Sequence, residues 1–340
     1  MTQPAAADPA RGSWRRLAVA LAAFVLLPLV PGVMRIILPI EQTTLLLVAV
    51  VASCAVVSWK NGGRFFLALL WVAVAVVVLV SPAGPVDSPY NWLARGWTLL
   101  LAASFGLVSI VAPTESFFPR ALSAIAVATS LGFALVLVSP GGPTRLSSSM
   151  NTEFARRNEQ SLAYFRDVTS QPGWKTLAER SPALQTLTDD VADQLETTIK
   201  WSSVIVPALL ALESLAALAL GYALFNRMTT VPIGPPLGKL REFRFNDQLV
   251  WGVAVGASIY LLPAFAEGRN AGLNLLVFFG MLYMLRGMGI MAWVSRGPVM
   301  SFLLVALGLF LWFLILPLAF GLGLGDTWLD FRTRAQSNAR

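Results

Sequence analysis

Residues 271–296 read AGLNLLVFFGMLYMLRGMGIMAWVSR, an apolar run from Ala271 to Arg296 with a cation, Arg286, set inside it. At 1.5 Å per helical residue, about 20 apolar residues cross the roughly 30 Å hydrocarbon core of a bilayer, so the run is long enough to span one. A guanidinium at that depth costs about 2.5–3.5 kcal/mol on insertion scales, and Arg286 is therefore expected to face protein, water or a partner rather than lipid. On a helical projection Leu275, Phe279, Leu282, Ile290 and Trp293 share its side. Gly280, Met284, Gly287 and Met291 form a neighbouring ridge, whose glycines permit another helix to approach closely. The obvious intramembrane counter-charge is Glu213, in the apolar run Ile199–Phe225, which predicts that these two segments are neighbours.

With 56% hydrophobic and 13% charged residues over 340 positions, and a mean hydropathy of +0.68, the chain falls outside the soluble globular range. It reads as an all-α polytopic transmembrane bundle with the lipid bilayer as its first partner. The net charge of +7 does not indicate nucleic acid, because the basic residues sit at the ends of apolar runs rather than on one patch. There is no His, and the single Cys, Cys54, lies in an apolar run. His- and thiolate-based metal sites, His-ligated haem and Ser-His-Asp chemistry are thereby excluded, and Cys54 is read as a packing residue. No close pair of carboxylates or nucleophile–base set is visible either, so neither enzyme activity nor a cofactor is expected.

Working outward, apolar runs cover Trp14–Met34, Thr43–Trp59, Phe65–Val80, Leu93–Ala112 and Ala121–Val138, and these five spans form an N-terminal bundle, residues 1–142. Arg11, Arg15 and Arg16 resemble the start of a signal peptide, but no small-residue cleavage site follows, so the first run is read as an uncleaved span. Ala124, Ala128 and Gly132 repeat every four residues, a small-residue ridge for helix contact.

The composition changes at Ser139-Pro-Gly-Gly-Pro143. Residues 143–198 are polar with helical spacing: Met150, Phe154, Leu162, Phe165 and Val168 in one part, Leu184, Leu187, Val191 and Leu195 in another. Pro172 and Ser181-Pro182 mark helix starts. This stretch is a small extramembrane helical insert, read first as a hairpin packed on the bundle and second as a partner-binding segment or a lid.

Residues 199–325 then supply four more spans, Ile199–Phe225, Leu249–Ala266, Gly272–Ser295 and Val299–Leu322, with a GxxxG contact face at Gly252 and Gly256. Nine spans result. Eight is the alternative, because nine leave Arg332, Arg334 and Arg340 outside while the remaining basic residues favour a cytoplasmic N-terminus in a bacterial inner membrane. The polar tail, residues 326–340, holds Asp326, Trp328, Asp330 and Arg332; Asp330 and Arg334 at i,i+4 suit a short interfacial helix, and these residues are expected at the membrane surface or against a partner. Gly234-Pro-Pro-Leu-Gly-Lys239 has three residues between its glycines where a phosphate loop needs four, and Leu240 where Ser or Thr should stand.

Three pieces of the C-terminal half form a pattern: Leu240-Arg-Glu-Phe-Arg-Phe245 before a span with Trp251, the span Asn274–Gly287 with Tyr283 and Arg286-Gly287, and Gly325-Asp326 followed by Asp330-Phe331-Arg332. Together they resemble the YybS-like bacterial membrane proteins, a domain of unknown function similar to the substrate-binding components of energy-coupling-factor transporters. Asn246-Asp247 and Arg286 depart from that pattern. The resemblance implies a small-solute binding or transport component that depends on a separate energising ATPase. From the residues themselves, a ligand is expected near the polar side chains set in apolar runs, Glu213, Asn274, Tyr283 and Arg286. The competing expectation is a membrane scaffold that recruits envelope proteins through its insert and tail.

Overall fold

The computed structural model describes residues 13–29, 43–81, 89–295 and 312–331, and among them it contains helices and turns but no strand. The stretch holding Arg11, the loop with Pro39 and Glu41, the connection 82–88, residues 296–311 and the tail from Arg332 onward lie outside the described residues. Five helices are long and apolar enough to cross a membrane: Thr43–Lys60, Pro89–Val111, Phe117–Val138, Val204–Met228 and Pro263–Val294. The chain is a membrane-embedded helical protein. It divides into two compact units, residues 1–236 and 237–340, and Ile199–Phe225 belongs to the unit of the N-terminal spans.

The first unit is built around α2 (Thr43–Lys60), which is apolar on every side and buried over 67% of its length. A helix without a polar face has to be surrounded, and α3 (Phe65–Val80), α4 (Pro89–Val111) and α8 (Pro182–Met228) pack on it. Small residues set the crossings. A side chain on Gly106 would meet Ser53 Oγ at 2.7 Å, and one on Gly221 would meet Val50 Cγ1 at 2.6 Å; Ser53 Oγ also donates to the Ala102 carbonyl at 2.7 Å. Cys54 is buried in this core. On α5 (Phe117–Val138), Ala124 and Ala128 are buried, and Gly132 lies against Leu100 of α4. Phe66, Val77, Phe133 and Val138 are left exposed as surface suited to lipid. α1 (Trp14–Leu26) packs on α8 and α2.

The insert consists of α6 (Gly142–Ser170), α7 (Pro172–Arg180) and the start of α8. Each of the three carries a proline in its first turn, where the missing N–H costs no hydrogen bond. α8 is one helix of 47 residues. The switch from polar to apolar near Ile199, which reads as a domain boundary in the sequence, is crossed without a break, because hydrogen bonding within a helix is indifferent to side-chain polarity. Phe154 of α6 packs with Tyr90 and Val206, and the Arg157 guanidinium lies 4.9 Å above the Tyr90 ring. The side chains of Leu187, Val191 and Leu195 are outside those described.

The second unit contains α9 (Val250–Leu261), α10 (Arg269–Val294) and α11 (Trp312–Leu329). The expected span Leu249–Ala266 stops early: α9 has 12 residues, Leu262 is extended, and Pro263–Gly268 forms a 3₁₀ turn. At about 18 Å, α9 is too short to cross a bilayer alone. α11 runs on to Leu329, past the expected end at Leu322, and takes Asp326 into the helix.

Candidate functional site

α10 holds both shorter helices on one face. Gly252 of α9 lies against Phe279, and a side chain on Gly256 would meet Leu275 Cβ at 3.0 Å and the Gly272 carbonyl at 3.1 Å. Farther along α10, a side chain on Gly287 would strike the Ala319 carbonyl of α11, and one on Gly323 the Tyr283 carbonyl. Positions 272, 275, 279, 283 and 287 follow one another at three- or four-residue steps and so share a face. Residue numbers fall on α10 as they rise on either partner, so both run antiparallel to it. α9 and α11 share no extensive contact with each other. Their contacts fall on successive stretches of α10, around 272–279 for α9 and 283–287 for α11, so the end of α11 and the start of α9 come to within about a turn of the same level.

Charges gather at this break. Asn246 Oδ1 accepts from the Gln248 backbone N–H at 3.0 Å and starts the 3₁₀ turn Asp247–Leu249 that leads into α9. Asp247 thereby sits at the amino end of a helix, where a negative charge is favoured. Asp330, with φ of 41°, closes α11 in the left-handed region and pairs with Arg244. A cation beside a helix carboxyl end is likewise favoured.

Arg286 reaches into this break from α10 and is 2% exposed. Its Nε donates to Asp326 Oδ2 at 2.9 Å and one terminal nitrogen donates to Asp247 Oδ1 at 2.7 Å. The two carboxylates differ: the Asp326 side chain is fully buried, that of Asp247 is 60% exposed. The guanidinium lies 5.4 Å from the centre of the Phe245 ring, and Phe245 meets Tyr283 edge to face at 5.0 Å. The strap Leu240–Leu249 is thus pinned across the break by one aromatic contact and two ion pairs.

The shelter expected for Arg286 is present, but the described counter-charges are Asp326 and Asp247. Glu213, the expected partner, is buried in α8 of the first unit, next to Ser214, whose hydroxyl accepts from Trp97 Nε1 at 2.9 Å. Of the four residues expected to bind a ligand, Tyr283 and Arg286 stand together. Asn274 is three turns away, about 18 Å along α10 from Arg286, and donates to the Asn270 carbonyl of its own helix at 2.7 Å. Asp326, expected at the membrane surface, is interior because α11 carries it inward against α10. Trp328 is exposed. Asp330 pairs with Arg244; Arg332 and Arg334, and with them the expected i,i+4 pair, lie outside the described residues. Asp247 enters the sequence reading only as a departure from the family pattern and not as a site residue; the signal for its place is the Asn-Asp pair ahead of an apolar run, a helix-start pattern.

A second polar cluster closes one end of the first unit. Arg120, 1% exposed, donates to the carbonyls of Ile233, Pro113 and Glu115 at 2.9, 3.0 and 2.7 Å. Tyr222 Oη donates to the Pro235 carbonyl at 2.6 Å, and Asn226 Oδ1 accepts from the Ile233 N–H at 3.0 Å. The start of the glycine-rich segment that superficially suggests a phosphate loop, Ile233 to Pro235, is therefore folded onto the first unit, and Gly234 leaves no room for a side chain beside Tyr222 and Arg120. Backbone carbonyls rather than a ligand occupy this arginine, so the cluster fastens a loop.

These features define a polytopic helical membrane protein with a charged site at a helix break. No protein-family model, curated protein or solved structure matches the chain.

Proposed function

We propose that the protein is the solute-binding component of a bacterial inner-membrane transport system, with its site where α9 and α11 meet on α10. The observation that carries this is a buried, charged break between two short helices on the face of a continuous one. Interrupted helices expose backbone ends and helix dipoles inside the membrane, and such places suit a polar solute that must leave water. The strap Leu240–Leu249 covers the break and, through the exposed Asp247, connects it to the surroundings. The energising subunit is a separate ATPase, since Gly234–Lys239 lacks the spacing of a phosphate loop. Arg286 orders the site, and Tyr283 and Asp326 line it.

A thermal-stability screen of small polar solutes on the detergent-purified chain tests this. At a solute concentration of 100 times Kd, binding adds about 2.7 kcal/mol to stability. At least one solute class is expected to stabilise the wild type and to lose its effect in Arg286→Met. A screen without any stabilising solute, or one whose hits act equally on both proteins, would refute the proposal.

A further inference from the structure

The two carboxylates on Arg286 are not equally bound to their places. Asp326 has no exposed side-chain surface, whereas the Asp247 side chain is 60% exposed and that of Arg286 only 3%. One side of a buried guanidinium is thus covered by a side chain that lies largely in the open. A pair with one partner so exposed is weak, because water solvates the released carboxylate almost as well as the cation does. Asp326 would leave only by stranding a buried charge, so Asp247 is the carboxylate that exchanges.

The strap around it tolerates that exchange. The turn into α9 does not depend on the Asp247 side chain, since Asn246 Oδ1 already accepts the Gln248 N–H at 3.0 Å. The hydrogen bond described for the Asp247 carboxylate is the one from Arg286, at 2.7 Å. Phe245, 9% exposed, is held separately by Tyr283, ring centres 5.0 Å apart, and its ring centre lies 5.4 Å from the guanidinium. When Asp247 swings out, an N–H of Arg286 is left to donate beside an aromatic wall. The planar guanidinium matches a planar carboxylate, and the place vacated is that of one carboxylate.

We propose that Asp247 is a tethered stand-in for the carboxylate of a solute. The solute's carboxylate takes the place of Asp247 on the terminal nitrogen of Arg286, and its apolar part lies along Phe245. The proposal rests on the solute-binding reading above for there being a solute, and it names the class.

Thermal unfolding of the full detergent-purified chain decides it, comparing wild type with Asp247→Ala at neutral pH. Sodium acetate and sodium benzoate are titrated against acetamide and benzamide, with sodium chloride holding the ionic strength constant. The expected result is a saturable rise of the unfolding midpoint with a carboxylate that its amide does not give. Its half-saturating concentration is expected to be about tenfold lower in Asp247→Ala, because a tethered competitor no longer occupies the site. Where that variant does not fold, Asp247→Asn takes its place. Equal half-saturating concentrations in the two proteins would overturn the proposal, as would amides that act as well as their carboxylates, or no response in the variant. If carboxylates fail in the variant while another solute still stabilises the wild type in an Arg286-dependent way, the displacement falls and the solute-binding reading stands.

Discussion

Replacing Arg286 by Met removes the guanidinium and keeps an apolar side chain of similar length. Asp326, with no exposed side-chain surface, is then a buried carboxylate without its cation. Breaking a buried pair from one side costs about 3–5 kcal/mol, because the remaining charge has neither water nor a partner. Asp247, at 60% exposure, regains water instead, and its share is about 0–1 kcal/mol. Arg286→Met is thus expected to destabilise by about 3–5 kcal/mol and Asp247→Asn by about 0–1 kcal/mol. In the double variant Arg286→Met with Asp326→Asn no charge is stranded, and a substantial part of the loss is expected to return. Reversible unfolding in mixed detergent micelles, followed by tryptophan fluorescence, measures all three. The reasoning is refuted if Arg286→Met lies within about 1 kcal/mol of wild type, or if Asp247→Asn costs as much as Arg286→Met.

Other perturbations have equally definite outcomes. Gly323→Ala drives a methyl group into the Tyr283 carbonyl, and since backbone cannot turn aside, a loss of about 1–3 kcal/mol is expected in the same unfolding assay. Arg120→Lys keeps the charge but not the fork that spans carbonyls of two segments; faster cleavage of the 229–236 loop in limited proteolysis is expected, and unchanged cleavage would show that the fork is dispensable. In the insert, burial pushes the Glu153 carboxyl up, but hydrogen bonds from Arg156 and Arg157 pull it down further, and the result lies below its ordinary value of 4.5. A depressed folded value means that this contribution is complete above the unfolded value and is lost as pH falls through the folded one. Glu153→Gln is therefore expected to flatten the fall in stability below about pH 4.5, and an unchanged pH profile would contradict the pairing.

Much of the second unit is written locally in the sequence. A cation inside an apolar run has to be sheltered, and Arg286 is; Gly252 and Gly256 at four-residue spacing have to meet a helix, and they meet α10 at Gly272, Leu275 and Phe279. The partners of Arg286 were not legible, because both stand about 40 residues away in stretches that look like loop and tail. Gly325 ahead of Asp326 suggests a helix end, yet α11 continues through it to Leu329. Nor does hydropathy report where a helix stops relative to its neighbour, and the break near Arg286 is made by α11 ending and α9 beginning within about a turn of the same level of α10. In the first unit the opposite error arises: polarity changes near Ile199 while the helix does not.

The claim on which the rest depends is that the charged break is reached by water from one side of the membrane. In a chain whose single cysteine, Cys54, is replaced by Ala, Asp247→Cys and Val255→Cys are labelled in sealed vesicles with a membrane-impermeant maleimide. Residue 247 is expected to react rapidly from one face only, and residue 255, exposed on the apolar surface of α9, to stay unlabelled until detergent is added. Equal protection of both positions from both faces would contradict a water-accessible site at the break.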